Sequence, residues 1–208
     1  MTTTIDTNTF TTETTPKSPG RVLPHKIGGK LWAPMLAMAV MGFTAAATLA
    51  VIRAVEINGA ADAATVAAYG HWTTAAMFTG FAAAFGAISF AIARILGEFR
   101  EGGGNVQEIS GSEVRTLKMP TTARAFLGLM MIAMMALVGA VVAHIVVGAQ
   151  TSSGSLALVD SEQWAVWLET IRRFSVSLFL FAILLGLATI VQVLRFQSIR
   201  IREIAHIN

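Results

Sequence analysis

The chain has 208 residues, 54% of them hydrophobic and 13% charged, with a formal net charge of +3. An ordinary soluble domain carries about 25% charged residues, so this composition excludes one and points to a lipid bilayer. There is no cysteine, which excludes disulfides, iron–sulfur ligation and thiol catalysis.

Residues 1–30 are polar and rich in threonine, and are expected to form a disordered cytoplasmic tail. No cleavable signal peptide is expected, because the first apolar stretch is long enough to remain as a span. Residues 31–208 are expected to form one all-α domain, a bundle of four transmembrane helices over about 31–55, 71–95, 123–149 and 172–196. Each has an apolar centre without charged side chains: Leu31–Ile52, Thr73–Ala93, Ala125–Val147 and Phe174–Leu194. Such stretches of roughly 20 residues match a hydrocarbon core about 30 Å thick.

In chain order, Pro34 suits the first turn of helix one, and Asn58-Gly59 suits the turn that ends it. Asp62 is placed to cap helix two, whose first residues extend outside the span. Gly102, Gly103 and Gly104 read as a flexible break, and Pro120 restarts the helical pattern. Asp160-Ser161-Glu162-Gln163 fits a capping box with Asp160 as the cap, opening an amphipathic outer extension of helix four. Trp164, Trp167, Leu168 and Ile171 form its apolar face. Helices two and four share this plan, which hints at a duplicated helical hairpin.

Charge sets the expected orientation. The two termini and the central loop hold twelve of the 15 Lys and Arg residues, and the other side holds only Arg53, Arg172 and Arg173. That bias places both termini in the cytoplasm of an inner-membrane, multi-pass protein. The positive charge thereby reflects topology and gives no reason to invoke nucleic acid.

Two histidines stand out. Every fourth residue of helix two reads His71, Ala75, Thr79, Ala83, Ala87, Ala91, and helix three reads Ala136, Ala140, His144, Gly148. Residues four apart share a face, and small residues let helix backbones approach. His71 and His144 also stand at similar heights above the basic ends of their helices, within roughly 5 Å at about 1.5 Å per residue. Two imidazoles at one depth suit the axial positions of one low-spin b-type haem. Arg53, Arg172 and Arg173 fall in the same layer and suit its propionates. The plainer reading makes the histidines interfacial anchors or interhelical hydrogen-bonding groups, and pairs the arginines with Glu56, Glu169 or Asp160. A metal or proton-relay role finds little support, since no Asp or Glu lies within a span.

The remaining clusters read as packing. Met130, Met131, Met134 and Met135, with Met35, Met38 and Met41, offer thioethers for copper(I) but more readily fill an apolar interior. Helix two, with its small-residue stripe, is expected to be the most buried. Phe179, Phe181, Leu184, Trp164 and Trp167 are expected to face lipid or a partner. His25 and His206 lie in the terminal segments without an evident partner. No catalytic signature can be placed.

The functional expectation is an accessory or anchoring subunit of a larger inner-membrane redox or energy-converting complex, carrying one haem between His71 and His144. The alternative is a cofactor-free structural or interaction protein of the membrane. A small transporter is disfavoured by the lack of intramembrane acids.

Overall fold

The structure, a computed structural model, describes residues 10–15, 20, 22–111 and 113–205. Much of the expected disordered tail (1–9, 16–19 and 21) and His206 lie outside the described residues. The elements run β1 (Thr12–Thr15), α1 (Leu23–Asn58), α2 (Ala63–Ile109), β2 (Val114–Leu117), α3 (Thr121–Ser152) and α4 (Leu158–Ala205). All four helices are long and apolar enough to cross a membrane. Half of the most apolar stretch of α2 is buried, against 17% in α1, so α2 is the buried helix that its alanines imply.

Local chemistry explains most helix ends. Gly59 N–H bonds Val55 O and Ala61 N–H bonds Glu56 O, closing α1 over Ala60, which takes a left-handed φ of 57°. Asp62 then caps α2: its carboxylate accepts from Thr65 N–H at 2.9 Å and from the Thr65 hydroxyl at 2.7 Å. Those bonds hold the Asp62 carboxyl below its usual pKa. The cap is therefore intact at neutral pH and is lost as pH falls through that depressed value. Pro120 O receives the Ala123 and Arg124 N–H groups at the start of α3. Gly154, with φ of 73°, turns the chain between α3 and α4.

Four expectations shift. Helix one starts at Leu23, inside the expected tail, and Thr12–Thr15 forms a strand. The triple glycine is not a break, because α2 runs through it to Ile109. The reason is packing: a Cβ on Gly103 would collide with the Gln197 side chain, so glycine here admits a neighbour. Asp160 is not the cap of α4. The helix begins at Leu158, Ser161 N–H bonds Ala157 O, and Asp160 sits within the first turn, where its charge still suits the helix dipole.

The chain divides into two compact units. One comprises residues 32–88 and 128–181. Its core is Phe78, Ala82, Ala133, Leu137, Ala140, Leu168 and Phe179. The α1 and α2 backbones meet at Gly42 and Gly80, where a Cβ on Gly42 would lie 2.6 Å from Gly80 N. Phe43 covers Gly80 and packs edge-on against Phe81, and Phe85 stacks on Phe179 at 4.8 Å. Met130 and Met134 pack against the core, while Met131 and Met135 are exposed.

The other unit comprises residues 1–31, 89–127 and 182–208, as far as they are described. It contains the antiparallel β1–β2 ribbon, with Thr12 opposite Leu117 and Thr15 opposite Val114. Val114 and Thr116 point inward while their neighbours are half-buried, the alternation a strand with one buried face requires. Gly28 lies against Phe90 O, and Gly97 lies against His25.

The glycine contacts give a graded test. Gly42→Ala should lower the stability of the detergent-purified protein by about 1–3 kcal/mol, through overpacking against backbone. Gly139→Ala, where nothing lies within 4 Å, should not lower it. Thermal unfolding followed by circular dichroism separates the two, and equal behaviour would refute the Gly42–Gly80 contact.

Candidate functional site: the buried histidine pair

The α2 and α3 stripes do bring their histidines together. His71, Ala75, Ala83 and Ala87 are buried on α2, as are Ala140 and His144 on α3. Gly148, one turn beyond His144, leaves room for the Trp72 indole and for His71 itself. The two imidazoles meet directly, with Nδ1 to Nδ1 at 2.9 Å and ring centroids 5.2 Å apart. The opposite edge of His71 reaches α4, its Nε2 lying 3.0 Å from Ser161 Oγ. Ser161 is itself buried. One polar chain thus ties α2, α3 and α4.

Hydrogen bonding fixes the tautomers. His144 Nε2 is buried and has no partner among the described residues. A neutral imidazole carries one proton, and a buried donor left unbonded is costly. The proton of His144 therefore sits on Nδ1 and is donated to His71 Nδ1. His71 then carries its proton on Nε2 and donates it to Ser161 Oγ. His144 Nε2 remains a bare lone pair in an apolar setting. Phe78 meets the His144 ring edge-on at 5.2 Å.

As placed, the two rings bond each other and are not spaced for an iron between them. Metal–imidazole bonds of about 2 Å would set two axial nitrogens about 4 Å apart across the iron. Here the facing atoms bond each other, and the two Nε2 atoms lie on the outer edges of the pair. The expected propionate partners are also engaged. Arg172 and Arg173 both donate to Glu169, Arg172 through Nε at 2.6 Å and through Nη2, Arg173 through Nε at 2.9 Å. Arg172 further lies over the Phe78 ring, 5.5 Å from its centroid. Arg53 Nε donates to Val66 O at 3.3 Å, and its guanidinium rests on Gly70. The pairing with Glu169 that the sequence offered as the plain alternative is the one formed.

The expected partner face divides. Trp164, Trp167, Phe181 and Leu184 are exposed, Trp167 at 68%, whereas Phe179 is fully buried. Phe179 belongs to the core because it falls on the inward face of α4 and stacks on Phe85. Ser161 was hidden by its apparent place in a capping box. A signal for it was present: Ser161, Leu168, Ser175, Ala182, Thr189 and Phe196 recur every seven residues in α4, and all six are buried. A seven-residue repeat of mostly small or hydroxyl side chains in a Leu- and Phe-rich helix marks the packed face.

Removing one imidazole strands its partner's nitrogen in the interior. His71→Ala and His144→Ala should each cost about 1–3 kcal/mol. The double variant should cost less than the sum, by about 1 kcal/mol. A double-mutant cycle on the detergent-solubilised protein measures this, and strict additivity would refute the direct bond. Compared with protein-family models, curated proteins and solved structures, the chain matches none.

Proposed function

We propose that this chain is a multi-pass membrane subunit that acts by holding other membrane proteins, with His71, His144 and Ser161 serving as an internal connector. The direct His71–His144 bond carries the reading, because it uses for helix association the groups that a redox cofactor would need. Polar side chains bonded between helices favour association where surrounding lipid gives apolar side chains no preference for one another. The exposed apolar surface supports an anchoring role: α1 presents Val40, Met41, Val51 and Val55, and α4 presents Trp164, Val166, Trp167 and Leu184. In this reading both termini lie in the cytoplasm, on the strength of the twelve-to-three division of basic residues.

The second reading, an electron-transfer subunit of a redox complex, rests on the shared depth of the two histidines. It would require His71 to leave Ser161 and the rings to turn their Nε2 edges inward. One preparation decides between the two. The chain purified from haem-replete cells should give a flat reduced-minus-oxidised spectrum and a negative pyridine haemochrome assay. Membrane proteins that co-purify with it should be lost on Trp164→Ser/Trp167→Ser substitution. A b-type signal near one haem per chain, abolished by His71→Ala and by His144→Ala, would overturn the holding role in favour of electron transfer.

A further inference from the structure

The unit formed by residues 1–31, 89–127 and 182–208, as far as they are described, carries a partly open cavity of about 270 Å³. Most of its wall is apolar, including Val22, Leu96, Phe126, Leu127 and Val193. Two arginines, Arg100 and Arg200, line it as well. Arg200 is only 3% exposed, and every bond it makes goes to a neutral oxygen. Its Nη2 donates to Gly103 O at 2.9 Å and to Gln107 Oε1, and its Nη1 donates to Gln197 Oε1 at 3.3 Å. The framework is itself braced, since Gln197 Nε2 donates to Phe99 O and Gln107 Oε1 also accepts from Arg115 N–H.

The Phe196 ring lies 5.1 Å from the Arg200 guanidinium, and the Glu203 carboxylate acts on it only from beyond ion-pair distance. Among the described residues no carboxylate lies within ion-pair distance of Arg100 or Arg200. The Nε atoms of both are buried and have no hydrogen-bond partner there. A guanidinium stays charged at any physiological pH, and a buried charge is costly unless it is paired. Two such cations lining an apolar cavity ask for an anion attached to something apolar.

We propose that this cavity binds an anionic phospholipid, with its phosphate on Arg100 and Arg200 and the start of an acyl chain along Leu96, Phe126, Leu127 and Val193. Arginine offers phosphate oxygens charge-assisted, fork-shaped hydrogen bonds, and basic pockets between membrane helices are suited to such head groups. The small side chains of Ala93 and Ala123 keep the cavity open. The site is independent of the histidine pair.

Native mass spectrometry of the full chain, released from detergent and titrated with lipid, tests this. Phosphatidylglycerol should be retained about tenfold more strongly than phosphatidylcholine, and inorganic phosphate at the same concentration should not displace it. Arg100→Gln changes a half-buried side chain that makes no ion pair among the described residues, and it should weaken phosphatidylglycerol by about tenfold. Ala123→Leu, which fills the cavity and leaves both charges in place, should weaken it comparably. Equal retention of the two lipids would overturn the proposal, as would indifference to both substitutions. Displacement by inorganic phosphate alone would also overturn it, because the site would then recognise a free anion and not an amphiphile.

Discussion

Close approach of helix backbones along α2 is the constraint on which the rest depends. Gly42 and Gly80 bring α1 and α2 within a distance that no Cβ tolerates, and the alanines below His71 leave its face equally shallow. Close contact gains dispersion energy over many atom pairs, and it shortens the reach needed for a polar side chain to cross to the next helix. The His71–His144 bond follows from it: two short imidazoles meet because nothing large stands between their helices. A Leu at Ala75 or Ala140 would separate the rings as surely as a substitution of either histidine.

The same economy of space decides which polar groups stay available for ligands. In the unit of residues 32–88 and 128–181, the histidines bond each other, Ser161 closes the chain, and Glu169 holds two arginines. Little polar capacity is left there beyond the single lone pair of His144 Nε2. In the other unit, glycine at position 103 admits Gln197, and Arg200 is held by the oxygens of Gln197, Gly103 and Gln107 and by the Phe196 ring. Arg172 and Arg173 share a carboxylate, whereas Arg100 and Arg200 have none within ion-pair distance among the described residues. That contrast is why the anion site is assigned to the second and a connecting role to the first.

Much of this was legible along the chain. Four apolar stretches, the capping role of Asp62 and the burial of α2 follow from composition and from a period of four, which local backbone geometry enforces. The meeting of His71 and His144 was also legible, because both stripes point their small residues the same way. Three features were not. Helix α1 begins at Leu23 within a polar segment, and α2 passes through three glycines that favour a break when read alone. Tertiary contacts override that propensity: a Cβ on Gly103 would collide with Gln197, whose amide bonds Phe99 O of the same helix. Phe179 resembled Phe181 in sequence, yet the 100° turn per residue of a helix puts one in the core and the other outside.

The sequence by itself determined the class of this protein, its four apolar helices and the packed stripes of α2 and α3, because length, hydrophobicity and residue size act locally and add up along a helix. Only the tertiary structure decided what the polar groups do. Whether two histidines flank a cofactor or bond each other depends on about 1 Å of separation and on which ring edge faces inward. Whether an arginine is paired depends on what other helices bring to it. Those choices are made by side chains distant in sequence, and no spacing within one helix records them.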